Sequence, residues 1–219
     1  MSLKKEYFHF KVEKEKEDSK RNHLAKREFS TISYILSKFY KFEIKEGHKI
    51  LDLGSGDNFL EKIFNENKIL YYSLDIEDLD FEKDTFNFKD NEFDLVISLA
   101  VLEHLKSPDL FLKEILRVLK KNSFLFLSTP NWKYSKNDFF DDVTHVKPYS
   151  PESSKQLLEI KGFKDVKTMP NLRCKSKGWY EGKFRFFKAY YFLPFNGMTK
   201  FIPDFLKGKS KGLFVIGKK

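Results

Sequence analysis

The segment 50–59 combines two acidic residues with a Gly-x-Gly turn. A short apolar run ends at Asp52, and the glycines follow at Gly54 and Gly56. An apolar run that stops at such a turn, just before a helix, is the pattern by which a parallel strand brings a nucleotide-like ligand to its carboxyl end. Glycine suits this turn because it has no Cβ atom and lets the backbone approach a ligand closely. The segment therefore predicts a ligand site at the end of a buried strand.

The residues around the two glycines restrict the identity of that ligand. The dinucleotide-binding fingerprint Gly-x-Gly-x-x-Gly would require glycine at position 59, where this chain has Phe59. Asp57 would also repel a pyrophosphate at the start of the following helix. The acids Asp52 and Asp57 suit a ligand with cationic groups, such as S-adenosylmethionine with its ammonium and sulfonium. The segment disfavours a nicotinamide-dependent oxidoreductase and favours a methyl-donor site.

Two later segments repeat the pattern of a buried strand followed by polar residues. The run 70–74 ends at Asp75, about 20 residues after the first glycine, where an acid can accept hydrogen bonds from ribose hydroxyls. A simple strand-end turn residue is the alternative reading of Asp75. The run 93–98 is followed by a segment that contains Glu103 and His104. Together these segments strengthen the prediction of a nucleoside-type ligand.

In this order the segments resemble the class I S-adenosylmethionine-dependent methyltransferases, in the branch of ubiquinone-biosynthesis and small-molecule O-methyltransferases. The resemblance covers roughly residues 45–170 and rests on ILDLGSGDNF, the acid after LYYSL, DNEFDLVISLAVLEHL and DLFLKEILRVLKKNSFLFLSTPN. It implies an α/β fold with a Rossmann-like, seven-stranded, mostly parallel sheet, helices on both faces, an antiparallel last strand and a C-terminal aromatic and basic insertion. It also implies S-adenosylmethionine as the cofactor.

The resemblance further implies which residues bind that cofactor. The residues at the glycine turn line its methionine end, and Asp75 holds the ribose. The residues at the end of the run 93–98 line the rest of the cofactor. The full set is Asp52, Gly54, Ser55, Gly56, Asn58, Asp75, Ile76, Ser98, Leu99 and Ala100. Asn58 stands where the family usually has a third glycine, and asparagine tolerates the left-handed backbone of such a turn. The acid that contacts adenine stays open among Asp80, Glu82 and Asp84.

Two histidines are candidates for the base that a hydroxyl acceptor needs. His145 in the run DDVTHV comes first, because neighbouring acids can orient its imidazole and raise its basicity. In the alternative interpretation, His145 is a loop histidine that is hydrogen-bonded to the backbone and has no catalytic role. His104 is the weaker candidate, and packing or capping beneath the cofactor is its alternative. Glu103 with His104 supplies only two metal ligands, which is too few to predict a metal site.

The hydrophobic pattern predicts the elements that position these residues. A helix is expected over 21–41, within an N-terminal helical cover at 1–44. Ser107-Pro108 and Ser150-Pro151 predict helix starts, with serine as N-cap and proline in the first turn. Strands are expected at 49–53, 70–74, 93–98, 123–128, 163–169 and 212–217, with a poorer pattern near 85–88. The core should extend over 45–170, followed by a substrate-recognition insertion at 171–211 and a final core strand in 212–219.

Composition restricts the class of protein. With 219 residues, of which 41% are hydrophobic, the chain can form one domain with an appendage. Cys174 is the single cysteine, so an internal disulfide is excluded and a reducing compartment is indicated. The N-terminal segment has no apolar core of a signal peptide, and no apolar run has the length of a membrane span. The sequence predicts a cytoplasmic protein.

Positive charge is concentrated near the C-terminus. Residues 161–219 contain fifteen Lys and Arg against three Asp and Glu, whereas the net charge of the whole chain is only +9. Within this part, 179–195 interleaves aromatic residues with Lys and Arg. Three readings stay open: a lid packed on the core, an interfacial segment at the anionic inner face of a membrane, and an RNA-binding segment. The last ranks lowest because no RNA-binding module is visible.

Together these observations predict an S-adenosylmethionine-dependent methyltransferase that acts on an oxygen of a small-molecule or lipid-linked, anionic acceptor. A non-catalytic S-adenosylmethionine-binding partner protein and an RNA methyltransferase are the alternatives. Neither the acceptor nor the oligomeric state follows from the sequence.

Overall fold

The fold is built around one mixed β-sheet. The computed structural model describes residues 5–7, 9–10, 18–136, 138–171, 195–196 and 207–219. The strands are β1 (Lys49–Leu53), β2 (Leu70–Leu74), β3 (Phe93–Leu99), β4 (Leu119–Pro130), β5 (Lys164–Pro170), β6 (Phe195–Asn196), β7 (Lys207–Lys209) and β8 (Gly212–Lys218). Six of them form the main sheet in the order β2-β1-β3-β4-β8-β5, while β6 and β7 form a separate pair. In the main sheet β8 alone runs antiparallel to its neighbours, as expected of the last strand.

Helices cover both faces of this sheet. They are α1 (Asp18–Tyr40), α2 (Glu61–Glu66), α3 (Asp109–Val118), α4 (Trp132–Ser135) and α5 (Pro151–Ile160). Because side chains alternate along a strand, Ile50 of β1 packs with Ile32 and Ile35 of α1, whereas the next residue, Leu51, packs with Phe111 of α3 on the other face. A sheet that is buried on both faces is typical of α/β proteins.

The expected strand near 85–88 is absent, so the main sheet has six strands among the described residues instead of seven. Side chains of α3 hold this segment in place of a neighbouring strand. Phe86 N donates to Glu114 Oε2 at 2.9 Å, and Arg117 donates to the carbonyl oxygens of Phe86 and Phe88 at 2.9 and 2.8 Å. Buried backbone groups need a hydrogen-bond partner, but the partner need not be another strand. Here the side chains of Glu114 and Arg117 are the partners.

Both predicted helices begin within one or two residues of the expected position, and one of the two predicted serine N-caps is confirmed. Ser150 caps α5, since its Oγ accepts from Ser153 N at 3.1 Å while Ser153 Oγ accepts from Ser150 N at 2.9 Å. The prediction for Ser107 is wrong. Helix α3 begins at Asp109 with Pro108 as the cap residue, and Ser107 Oγ instead donates to Asp109 Oδ2 at 2.8 Å.

The expected N-terminal cover is represented by α1, which packs on the sheet through fully buried residues such as Leu36. Arg21 in this helix forms an ion pair with Asp57 beside the glycine turn. No helix among the described residues is both long enough and apolar enough to cross a membrane. Most of the expected insertion at 171–211, including Cys174 and nearly all of 179–195, lies outside the described residues.

Candidate functional site

A cavity of about 630 Å³ lies at the carboxyl ends of the central parallel strands. The chain passes from β1 to β2 on one side and then to β3 on the other side of β1. Such a reversal of strand order opens a crevice at the strand ends, where ligands of open α/β sheets bind. The cavity walls come from the turn after β1, the loop after β2, the segment after β3, Thr144 of a later loop, and Lys5 and Tyr7 of the N-terminal segment.

Gly54 and Gly56 form the part of the wall that follows β1. Both have a left-handed backbone, with φ of +75° and +63°. A Cβ atom on Gly54 would lie 2.1 Å from Cγ2 of Val101, so this turn packs directly on the segment after β3. Asn58 has φ of +58°, and the left-handed conformation predicted for it is therefore present.

Asp75 joins this turn to the end of β2. Its Oδ2 accepts from Gly56 N at 2.7 Å, its Oδ1 accepts from Ile76 N at 2.6 Å, and its own N donates to Asp78 Oδ2 at 2.7 Å. Burial raises the pKa of Asp75, although the two hydrogen bonds that it accepts act in the opposite direction. Each oxygen of a carboxylate can accept more than one donor, so this fixed carboxylate can still receive hydroxyl groups.

Asp52 lies inside the protein at the end of β1. It is 2% exposed, and its Oδ2 accepts from the Tyr71 hydroxyl at 2.8 Å. Burial raises the pKa of Asp52 to about 7, against the effect of the Tyr71 hydrogen bond and with a further contribution from Asp75. This carboxyl group therefore exchanges a proton near neutral pH.

The residues expected to bind the cofactor divide into two sets. Those that line the cavity are Gly54, Gly56, Asp75, Ile76 and Ala100. Those that do not line it are Asp52, Ser55, Asn58, Ser98 and Leu99. In the second set, Ser98 is fully buried and Ser55 nearly so. Their positions suit support of the wall rather than direct contact.

All three acids considered for adenine line the cavity. Asp80 accepts from Glu82 N at 3.0 Å and from Lys83 Nζ at 2.9 Å. Asp84 Oδ2 accepts from Asp80 N at 2.8 Å, and Glu82 Oε1 accepts from Ser107 N at 2.7 Å. The hydrogen bonds order this acidic loop, and the choice among the three acids stays open.

A second polar group lies where β3 ends. Glu103 is fully buried, and its Oε2 accepts from Thr129 Oγ1 at 2.9 Å. Burial raises the pKa of Glu103 to about 8, partly opposed by hydrogen bonds that include the one from Thr129. Its other oxygen, Oε1, is buried without a hydrogen-bond partner among the described residues.

The loop that carries His145 folds onto Glu103. Val146 N and Lys147 N donate to the Glu103 carbonyl oxygen at 2.9 and 3.1 Å. His145 Nδ1 lies 2.6 Å from the carbonyl oxygen of Phe139, so this nitrogen carries the proton and Nε2 carries the lone pair of a neutral ring. His145 Nε2 lies 4.0 Å from Glu103 Oε1. The tertiary fold thus brings together two residues that are far apart in the sequence.

His104 is oriented in the same way. Thr144 Oγ1 donates to Asp142 Oδ1 at 2.6 Å, so it must accept from His104 Nδ1, which lies 2.9 Å away. The lone pair of a neutral His104 is therefore on Nε2. Burial raises the pKa of Asp142, but hydrogen bonds from Thr144 and Tyr7 outweigh this and leave the pKa below its ordinary value. An ionised Asp142 fixes this orientation.

Of the two candidate bases, His104 lines the cavity and His145 lies behind it. The two rings are 4.8 Å apart between centroids. Sequence reasoning missed Thr144, which lines the cavity from within the DDVTHV run, and Tyr7, which lines it from the N-terminal segment. The hydroxyl of Thr144 could have been noticed in that run, whereas nothing in the sequence around Tyr7 indicates its position.

Comparison with known proteins identifies the family. A family model described as a methyltransferase domain matches residues 20–168, which is more than half of the chain. The chain belongs to the methyltransferase domain family. The match contains all four parts of the cavity wall that follow β1, β2, β3 and β4, and it confirms the resemblance read from the sequence.

Two curated proteins are similar to part of the chain. The chain is 32% identical over 149 residues to an uncharacterized protein of Methanocaldococcus jannaschii, covering 63% of each chain. It is 26% identical over 101 residues to the ubiquinone biosynthesis O-methyltransferase of Pelagibacter ubique, covering 38% of this chain and 42% of the relative. The chain therefore spans less than two thirds of the length of either relative.

Among solved structures, a SAM-dependent methyltransferase from Archaeoglobus fulgidus superposes with a TM-score of 0.55 at 22% identity. The alignment covers 87% of this chain and 94% of that one. At this identity the similarity establishes the methyltransferase-type fold.

Proposed function

We propose that the protein transfers a methyl group from S-adenosylmethionine to an oxygen of a small-molecule or lipid-linked acceptor. The observation that carries the proposal is the connection between the glycine turn and the ribose-type acid. Gly56 N donates to Asp75 Oδ2 at 2.7 Å at the wall of the 630 Å³ cavity. This connection places a backbone turn for close approach beside a carboxylate for hydroxyl groups, which a nucleoside ligand requires.

The shape of the cavity fits the donor. A volume of about 630 Å³ lies within the range of small-molecule sites. The turn approaches the segment after β3 so closely that a methyl group on Gly54 would overlap Val101. Gly54 therefore lacks a Cβ for the sake of packing on Val101, whereas a Cβ on Gly56 would meet nothing within 4 Å, so room for a ligand against bare backbone lies at Gly56.

The charge of the cavity supports a cationic ligand. Six acidic residues of the loop after β2 line it, namely Asp75, Glu77, Asp78, Asp80, Glu82 and Asp84. Such a wall attracts ammonium and sulfonium groups and repels the pyrophosphate of a dinucleotide. When bound, S-adenosylmethionine supplies the methyl group as an activated sulfonium.

The protein must then position the acceptor and remove its hydroxyl proton. We assign contact with the acceptor to His104, because it is the histidine on the cavity wall, and Thr144 and Asp142 hold its ring. His145 is assigned a supporting position behind it, since it contacts Phe139 and lies beside Glu103. This assignment reverses the order of the two histidines expected from the sequence.

The chemistry of the acceptor is suggested by the loop next to His145. Phe140 and Val143 are 61% and 63% exposed, so two large apolar side chains face solvent beside the polar cluster. They suit an acceptor with an apolar part, such as a lipid-linked molecule. Anionic character of the acceptor, and contact with an anionic membrane, rest on the basic run at 179–195, which lies outside the described residues.

The experiment follows release of S-adenosylhomocysteine from S-adenosylmethionine by mass spectrometry. Polar metabolites, extracted lipids and RNA are supplied as three separate acceptor pools. Turnover with the lipid or polar pool supports the proposal, and loss of that turnover in His104→Gln but not in His48→Gln supports the assigned contact. Turnover with RNA alone would show that the acceptor is RNA and not a small molecule or a lipid-linked molecule. Binding without turnover in any pool would favour a non-catalytic partner protein.

A further inference from the structure

Glu103, His104 and His145 form a cluster that the acceptor hypothesis alone does not explain. Each offers one ligand atom, and the three atoms lie within 4.8 Å of one another. Sequence reasoning rejected a metal site because Glu103 and His104 gave only two ligands. The fold adds the third from a loop some 40 residues later, through the hydrogen bonds that Val146 and Lys147 make to the Glu103 carbonyl.

We propose that these three side chains bind one divalent metal ion of the transition series, such as Zn²⁺, at the wall of the cavity. The binding proposal stands on the cluster itself, whereas the role of the ion in catalysis rests on the proposed function. Two imidazoles and one carboxylate are a common ligand set for such ions, and three protein ligands leave a position open for substrate.

The carboxylate provides the first argument. Glu103 Oε1 is fully buried and has no hydrogen-bond partner among the described residues, while Oε2 is fixed by Thr129. The nearest imidazole nitrogen identified, His145 Nε2, is 4.0 Å away, which is too far for a hydrogen bond. An unpaired polar atom is costly to bury, so the cluster is not closed by its own hydrogen bonds.

The histidines provide the second argument. In both rings the proton is on Nδ1, held by the Phe139 carbonyl in His145 and by Thr144 in His104. Metal-binding histidines typically donate one ring nitrogen to a carbonyl or similar acceptor, which orients the ring and leaves the other lone pair for the ion. Here the orienting partners are already in place.

The separation of the ligand atoms is compatible with modest contraction. Tetrahedral coordination at about 2.1 Å places ligand atoms roughly 3.4 Å apart. The atoms of Glu103 and His145 are 4.0 Å apart and no two of the three ligand atoms are more than 4.8 Å apart, so binding would draw them together by roughly 0.6 to 1.4 Å. This is within reach of side-chain rotation. Because His104 also lines the cavity, an ion held by its Nε2 atom would contact the acceptor hydroxyl in place of that nitrogen and favour its ionisation.

Metal binding is tested on protein stripped with a chelator. Stripped wild-type protein is titrated with Co²⁺ by visible absorption and with Zn²⁺ by calorimetry. We expect one equivalent of each ion to bind, and Glu103→Gln and His145→Gln each to weaken binding by about tenfold or more. The control is His48→Gln, because His48 precedes β1 at the opposite end of the sheet and should leave metal binding unchanged.

Binding of S-adenosylhomocysteine is measured in parallel for every variant, so that unfolding is recognised and the two proposals are judged separately. If wild-type protein binds S-adenosylhomocysteine but gives no stoichiometric Co²⁺ or Zn²⁺ binding, the metal site is wrong and the proposed function stands. Metal binding that is equally strong in both cluster variants, with their folding intact, also overturns the site. Metal binding without S-adenosylhomocysteine binding would support the site and contradict the proposed function.

Discussion

The backbone N–H of Gly56 donates to the carboxylate of Asp75 at 2.7 Å and thereby connects the ends of β1 and β2. The same carboxylate accepts from Ile76 N, so its orientation relative to the glycine turn is fixed before any ligand binds. Preorganisation of this kind lowers the cost of ordering a site on binding.

Asp75→Asn tests this connection. The amide keeps the shape of the side chain but loses one acceptor oxygen and the negative charge. We expect the dissociation constant of S-adenosylhomocysteine to rise by about tenfold or more, or about 1.4 kcal/mol. Calorimetric titration measures it, with Asp90→Asn as the control, because Asp90 lies at the other end of β3. An unchanged affinity in Asp75→Asn would show that the carboxylate has only a structural role.

A pair of glycine variants separates backbone strain from steric overlap. Gly54 and Gly47 both have positive φ, but an added Cβ meets Val101 at 2.1 Å in Gly54 and nothing within 4 Å in Gly47. Gly47→Ala should cost about 1 kcal/mol of unfolding free energy through strain alone. Gly54→Ala should cost about 3 kcal/mol and abolish measurable ligand binding. Equal losses in chemical denaturation would mean that the turn does not need to approach Val101 so closely.

The raised pKa of Asp52 predicts a specific pH dependence of stability. Its pKa is about 7 in the folded protein and ordinarily 3.8, so between these values the folded state binds more protons than the unfolded state. This group therefore contributes stability that is fully present below about pH 4 and is lost as pH rises through 7.

Asp52→Asn should remove that contribution, because the amide oxygen can still accept from Tyr71 but does not titrate. Urea denaturation from pH 4 to 8 measures the unfolding free energies of both proteins. The unfolding free energy of the wild type should fall relative to that of the variant as pH rises. A difference that stays constant with pH would contradict the assigned pKa. Tyr71 and Asp75 are the neighbouring groups that affect this titration.

The ion pair of Glu114 and Arg117 should be important for stability. Arg117 Nη2 donates to Glu114 Oε2 at 2.7 Å, and Glu114 is nearly fully buried. Arg117→Ala would leave the buried Glu114 carboxylate without a counter-charge, with only the hydrogen bond from Phe86 N, and would remove the hydrogen bonds to the carbonyls of Phe86 and Phe88, at a cost of about 3 kcal/mol. Lys113→Ala, an exposed change in the same helix, should cost far less. Similar midpoints of thermal unfolding for the two variants would refute this.

Local sequence patterns were sufficient for the strand ends and for the glycine turn. The runs before Asp52, Asp75 and Ser98 each formed strands. Strands β1 and β3 are largely buried and leave a continuous apolar signature, whereas β2 is a half-buried edge strand. The same patterns placed Gly54, Gly56 and Asp75 correctly at one edge, since parallel strands present their carboxyl ends together.

Contacts between distant segments could not be read in this way. The pairing of Glu103 with His145 depends on backbone hydrogen bonds from Val146 and Lys147, and no local pattern encodes them. The strand expected near 85–88 rests on a poor local pattern. What satisfies its backbone groups, however, is the side chains of Glu114 and Arg117.

Calorimetric titration of the wild-type protein with S-adenosylhomocysteine and, separately, with NAD tests the central claim most directly. We predict one site for S-adenosylhomocysteine, lost in Gly54→Ala and weakened in Asp75→Asn, and no heat of binding with NAD. Binding of NAD without binding of S-adenosylhomocysteine would contradict the assignment of the cavity to a methyl donor.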